Sequence, residues 1–351
     1  MEMSIILPAL NEEKSIGKTI MEIKDVLSKN KIKFEIIVVD SDSKDKTAVI
    51  ARSLGAKVVN APIKGYGNAL RRGFKEAKGK YIIMYDPDGT YDPNTLTLMI
   101  KTLKEGYDYV NANRFAELIG DSMSTSHHIG NLILNCMGNF LFRMKGKDVL
   151  SGYKGFRVDA LKKLDIQSQK WDLNIEIHSK IRAHNLKFKE IPTRYFSRVG
   201  KSKLSGTKAA WHNLKFMFIH SPNFTFVYPS IVLMLVSIFA IINILIGPRL
   251  GSVSLVLSTI MFITGFQMLL FGITSKTIAF KKGFEKKNLL NSIGLKLTLE
   301  KGLISGLILF TISFVIFLSL NDIKFSILGF TILMTSISVV TCSFLNETLN
   351  Q

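Results

Sequence analysis

The sequence is poor in cysteine and in acidic residues, and it lacks the glycine signatures of two large nucleotide-binding classes. Its two cysteines, Cys136 and Cys342, stand far apart among 351 residues, which excludes a disulfide framework and a cysteine-built zinc site. There is no Gly-x-Gly-x-x-Gly after a strand-like run and no P-loop with its lysine, which speaks against a dehydrogenase or a P-loop ATPase. Acidic residues number 27 against 46 lysines and arginines, a net charge of +19. That balance suits nucleic acid, an anionic membrane surface or anionic ligands. The apolar stretches described next favour the last two and leave nucleic acid out. The N-terminus opens on a strand-like run and not on a secretory leader, so the polar part of the chain is expected to stay in the cytoplasm.

What is abundant is apolar sequence, and it is unevenly placed. Four uncharged stretches, 226–246, 252–275, 303–320 and 325–345, come near the roughly 20 residues that cross a bilayer as helix. The turn Gly247-Pro248-Arg249-Leu250-Gly251 separates the first two, and Asn321-Asp322-Ile323-Lys324 separates the last two. Between the pairs lie Lys276, Lys281, Lys282, Lys286, Lys287, Lys296 and Lys301. The positive-inside tendency places this 276–302 loop, and with it both termini, in the cytoplasm. No charge interrupts these four stretches, which argues against a transporter pathway.

Residues 1–204 read differently. Short apolar runs such as Ser4-Ile5-Ile6-Leu7-Pro8 and Phe34-Glu35-Ile36-Ile37-Val38-Val39 alternate with amphipathic helical patterns. This predicts an α/β fold with a mostly parallel sheet covered on both faces. Residues 205–224 predict an amphipathic juxtamembrane segment, and 225–351 a four-helix transmembrane domain. The run Lys80 to Tyr85 predicts a buried strand ending in Asp86-Pro87-Asp88. Ligands bind at such sheet edges, and paired carboxylates there suit Mg²⁺ or Mn²⁺ shared with phosphates. Asp40 ends the second strand and serves either a nucleoside or a helix cap. Gly65, in a glycine-bearing turn, is either a plain loop residue or part of a nucleotide site. Arg114 follows another strand-like run and can clamp phosphate. Residues 127–143 predict a core or membrane-interface helix. Asp148 can position an acceptor or cap a turn, and Glu176 reads as a surface carboxylate. The basic stretch from Ile191 to Leu204 can hold a phosphorylated ligand or lipid heads.

In this order the motifs resemble those of polyprenyl-phosphate (dolichyl-phosphate) glycosyltransferases in glycosyltransferase family 2. They are Pro8-Ala9-Leu10-Asn11-Glu12, Asp40-Ser41-Asp42-Ser43-Lys44-Asp45, Asp86-Pro87-Asp88, Asp148-Val149-Leu150-Ser151-Gly152-Tyr153, and Tyr195 to Leu204 with Arg198, Gly200 and Lys203. The resemblance implies a GT-A fold and metal-dependent, inverting transfer of one sugar from a nucleotide-sugar to dolichyl phosphate. Asp86 and Asp88 would hold the metal, and Pro8, Asn11, Glu12, Asp40 and Gly65 would lie at the donor. Arg114, Asp148, Arg198 and Lys203, with Asp88, would serve the reacting groups. Asp88-Gly89-Thr90-Tyr91 is similar to archaeal members that use UDP-hexoses or UDP-N-acetylhexosamines, which places GDP-mannose second. A processive polysaccharide synthase would carry a Gln-x-x-Arg-Trp motif, which is absent. A non-catalytic scaffold or lipid-flipping partner is the reading from another class.

Overall fold

The computed structural model describes residues 1–120, 122–143, 145–200, 206–246, 252–319 and 323–348. They form two compact units, Met1–Met217 and Phe218–Gln351.

The first unit is built on seven strands: β1 (Met3–Ala9), β2 (Phe34–Asp40), β3 (Lys57–Asn60), β4 (Tyr81–Met84), β5 (Tyr109–Leu118), β6 (Lys154–Arg157) and β7 (Phe188–Tyr195). Their order across the sheet is β3-β2-β1-β4-β6-β5-β7. All neighbours run parallel except at β6, which is antiparallel to both β4 and β5. The sheet is therefore mixed and mostly parallel. Successive side chains of a strand point to opposite faces. Ile5 and Leu7 of β1 and Ile36 and Val38 of β2 enter one core, whereas Ile6, Ile37 and Val39 enter the other. That two-sided burial explains the unbroken apolar runs.

Helices α1 (Ile16–Lys29) and α4 (Thr95–Lys104) cover the first face, with Ile16, Ile20, Ile23 and Leu27 of α1 forming one apolar stripe. Helix α2 (Thr47–Ser53) lies between β2 and β3 in sequence. Helices α3 (Tyr66–Glu76), α6 (Val158–Leu164) and α7 (Leu173–Ala183) supply the second core. Helix α3 approaches closely because Gly73 has no side chain; a Cβ there would stand 2.2 Å from a methyl of Ile6. Helices α5 (Thr125–Phe142) and α8 (Gly206–Ile219) complete the set. The sequence predicts neither β6 nor β7. Their residues are short and charge-bearing, Lys-Gly-Phe-Arg in β6, and β7 overlaps the stretch expected to be a basic loop. Arg114 also falls inside β5 and not after it.

In the second unit a π-helical turn, Asn223–Val227, leads into α9 (Tyr228–Ile246), followed by α10 (Ser252–Lys281), α11 (Leu289–Lys296), α12 (Leu299–Ser319) and α13 (Ile323–Thr348). Four of these segments are long and apolar enough to cross a membrane. Small residues set the approach of α12 to α13: a Cβ on Gly306 would lie 2.4 Å from Val340, and Ser336 Oγ donates to the Gly306 carbonyl at 2.9 Å. Such packing suits helices that gain nothing from hydrophobic association in lipid. Gln267 ties α10 to α13 through Ser338 at 3.2 Å.

The stretch 276–302 is not a plain loop. Helix α10 continues through Lys281, and Lys276 is buried against Glu285 at 2.7 Å and Asn223 at 2.8 Å. A lysine can continue an apolar helix when its charge finds such a partner. Helix α11 begins at an Asn288 capping box, a start signal the lysine-rich composition conceals. The turns 247–251 and 321–322 lie outside the described residues.

Candidate functional site

Beyond β4 the chain turns through Tyr85 into Asp86-Pro87-Asp88 on an aromatic base. Tyr85 donates to the Tyr91 carbonyl at 2.7 Å, and the Gly152 N–H donates to the Tyr91 hydroxyl at 2.7 Å. The rings of Tyr85, Tyr91 and Tyr153 meet edge-on at 4.7 to 5.7 Å, the geometry their quadrupoles favour. Thr90 orients Asp88: its hydroxyl donates to Oδ1 at 2.6 Å and its N–H at 3.2 Å. Asp88 Oδ2 lies 3.4 Å from Arg198. Asp86 Oδ1 accepts from the Tyr66 hydroxyl at 3.0 Å. Asp86 Oδ2 lies only 2.0 Å from where a Cβ on Gly152 would stand. Burial, and then the neighbouring charge of Asp88, push the Asp86 carboxyl up to about 7.

The two aspartates face a cavity of about 1040 Å³. Pro8, Glu12, Gly65, Arg114 and Arg198 also line it. Arg198 reaches Glu12 Oε1 at 3.1 Å as well as Asp88, so one guanidinium ties the loop after β1 to the acidic loop after β4. Two expected donor residues have bracing contacts and do not line the cavity. Asn11 adopts a left-handed backbone (φ 50°) and its side chain accepts from the Lys44 N–H at 2.7 Å. Asp40 Oδ1 accepts from the Ser43 N–H and hydroxyl, closing the turn after β2. Lys203 lies outside the described residues.

The structure joins Arg114 and Asp148, which the sequence expects to act separately. Asp148 Oδ2 accepts from the Arg114 backbone N–H at 2.9 Å and from Nε at 2.7 Å, and Oδ1 accepts from an Nη at 2.8 Å. Asp148 is fully buried and absent from the cavity wall. Burial opposes the charge on Arg114, but the Asp148 carboxylate with Tyr91 and Tyr195 together hold the guanidinium above its usual range.

Beneath this pair lies a polar layer that the sequence does not reveal. Lys154 Nζ, fully buried, donates to Asn111 Oδ1 at 2.7 Å, the Val149 carbonyl at 3.0 Å and His178 Nε2 at 3.2 Å. Asn111 Nδ2 donates to the Asp148 carbonyl and to Glu190, and Glu190 accepts the Lys147 and Asp148 N–H groups. Burial lowers Lys154 to about 7 and, with the charge of Lys154, holds His178 well below its usual value. Glu176, expected at the surface, is buried. It accepts from the Gln167 and Ser168 N–H groups at 2.9 and 2.7 Å and pairs with Lys180 at 2.8 Å. The one available signal for Lys154 is its place between Tyr153 and Phe156, in a segment with apolar residues on both faces.

Asp86 and Asp88 fit a hard divalent cation. Asp88 is buried and Asp86 half-buried; carboxylates held side by side repel, which adds to burial in raising Asp86, and a cation would relieve that repulsion. Among the described residues no group of three His, Cys, Asp or Glu side chains could hold a metal. Among the described residues these two carboxylates would be the protein ligands, and phosphate and water would complete the six oxygens of Mg²⁺ or Mn²⁺.

Residues 4–165 match the family described as glycosyl transferase family 2. The low-salt glycan biosynthesis hexosyltransferase Agl6 of Haloferax volcanii is 31% identical over 278 residues, covering 77% of this chain and 67% of that protein. An uncharacterized protein of Methanocaldococcus jannaschii is 34% identical over 220 residues, 59% of this chain and 88% of its own length. A dolichyl-phosphate hexose transferase of Haloferax volcanii is 25% identical over 204 residues, 58% of this chain and 86% of that protein.

Proposed function

The chain belongs to glycosyltransferase family 2, and from that premise we propose that it transfers one sugar, with inversion, from a nucleotide-sugar to dolichyl or another polyprenyl phosphate at the cytoplasmic membrane face. A UDP-hexose or UDP-N-acetylglucosamine is the preferred donor. The observation that carries this reading is the clustering of Asp86, Asp88, Glu12 and Arg198 on one cavity, in a chain that also carries four membrane-length helices. The relatives named for hexosyl transfer, one of them to dolichyl phosphate, support it.

Asp86 and Asp88 would hold Mg²⁺ or Mn²⁺, which when bound supplies charge neutralisation at the donor diphosphate. Arg198 sits between Glu12 and Asp88, where its guanidinium would offset their charge and could take a phosphate bidentately. Lys203, five residues further, is assigned to the same acceptor phosphate. Arg114, locked by Asp148, adds a fixed positive charge to the wall. An ionised phosphate monoester is already nucleophilic, so these residues act by position and electrostatics, without a strong base.

GDP-mannose remains the second donor. Thr90 and Tyr91, in the motif similar to archaeal UDP-sugar members, are committed to orienting Asp88 and to the aromatic base. The test offers purified protein dolichyl phosphate, Mn²⁺ and, separately, UDP-glucose, UDP-N-acetylglucosamine and GDP-mannose, with lipids weighed by mass spectrometry. One product a single sugar heavier, lost in Asp88→Asn, is expected. A ladder of longer products would point to a processive synthase. No product and no nucleotide release would leave a scaffold or lipid-flipping role.

A further inference from the structure

The cavity that holds the acidic pair has a second polar region, formed where α7 begins and along α8. Asn174 and Asn213 both line the cavity and are only 4% and 5% exposed. Among the described residues the side-chain oxygen of each is buried without a hydrogen-bond partner. Buried polar atoms are nearly always paired, so two orphaned acceptors on one cavity wall mark a place where a donor is missing. The orientation of Asn174 is set by its Nδ2, which donates to the Leu150 carbonyl at 3.4 Å. Its oxygen is therefore the end left over. The Ser122 hydroxyl, on the same cavity, is orphaned too.

This region adjoins the acidic pair by two routes. Tyr66, whose hydroxyl holds Asp86, stacks on Trp171 with ring centres 4.1 Å apart and planes 14° from parallel. Trp171 lies two residues before α7 and three before Asn174. On the other route, Leu150 bonds Asn174 while Gly152, two residues on, abuts Asp86. Both Tyr66 and Trp171 line the cavity. A wall of aromatic rings beside unpaired amide oxygens matches a sugar, whose C–H face is apolar and whose hydroxyls donate. It does not match a phosphate, which brings no proton to an orphaned acceptor.

Resting on the function proposed above, we propose that Asn174 and Asn213 are specificity residues that accept hydrogen bonds from the hydroxyl or amide N–H groups of the transferred sugar, beside the Tyr66–Trp171 wall. The proposal requires that the nucleoside diphosphate bind without them. Sites built to hydrogen-bond a substrate group discriminate strongly against analogues that lack it.

The test is calorimetric titration in Mn²⁺ with UDP, GDP, UDP-glucose, UDP-N-acetylglucosamine and GDP-mannose, using full-length wild type, Asn174→Leu and Asn213→Leu. For the nucleotide-sugar that wild type binds, each variant is expected to weaken Kd about 5- to 20-fold, the scale of one lost hydrogen bond. The matching nucleoside diphosphate should stay within about twofold, which also verifies folding. Asn174→Ser and Asn213→Ser, which disturb the wall less, should give the same split. Equal weakening of diphosphate and sugar nucleotide would make the asparagines structural and overturn the inference, as would no change in either. If wild type binds no nucleotide-sugar at all, the proposed function falls and the inference with it.

Discussion

Gly152 has no room for a methyl group, because the space a Cβ would need is filled by the Asp86 carboxylate. Gly152→Ala is therefore expected to displace Asp86 and reduce transfer more than about 100-fold, the scale of removing one transition-state charge contact. Mn²⁺ affinity should fall in parallel, and initial rates with calorimetric Mn²⁺ titration check this. Asp148, fully buried and bonded to Arg114, is expected to read out in stability. Asp148→Asn leaves the Arg114 guanidinium buried without its counter-charge, a loss of about 3–5 kcal/mol, readable as a lower denaturation midpoint in detergent. At this scale the sequence was informative about residue type and less so about role. Asp86 and Asp88 stand out because a carboxylate pair ends an apolar run. Nothing local tells that Arg114 and Asp148 spend their hydrogen bonds on each other, since 34 residues separate them.

Strand β6 carries into the first unit a lysine that no period or motif flags. Lys154 titrates near 7 in the folded protein against an ordinary value of 10.5. Between those values the unfolded chain holds a proton that the folded chain does not, so this contribution to stability grows as pH rises from about 7 toward 10.5 and is lost as pH falls. His178, held well below its usual value, acts in the same direction below about pH 6.5. Relative to Lys154→Met, which has no such proton, wild-type stability should rise with pH by up to about 1.4 kcal/mol per unit across that window. Denaturation midpoints of both proteins at pH 7, 8 and 9 measure it; parallel curves would refute it. Strands β1, β2 and β4 were legible in the sequence because burial on both faces demands continuous apolar runs. Strands β6 and β7 were not, because their pairing comes from β4 and β5 and tolerates Lys, Arg and Glu wherever a partner exists.

For the whole molecule, the lysines of 276–302 predict that this segment and the sugar-transferring unit face the cytoplasm together. A variant with Cys136 and Cys342 replaced by serine, bearing Lys31→Cys or Lys287→Cys, should react with an impermeant maleimide only in inverted vesicles. Reaction of the two from opposite sides would refute the shared sidedness. The sequence by itself determined the family, the α/β class, the four membrane-length helices and the acidic pair. Each of these is written in local periodicity, apolar length or a short motif. Only the tertiary structure decided that β6 reverses direction, that Asp148 binds Arg114, that Glu176 is buried and that Asn174 and Asn213 share a cavity wall. Those facts depend on contacts between residues distant in the chain, and on burial that turns ordinary polar side chains into obligate hydrogen-bond partners.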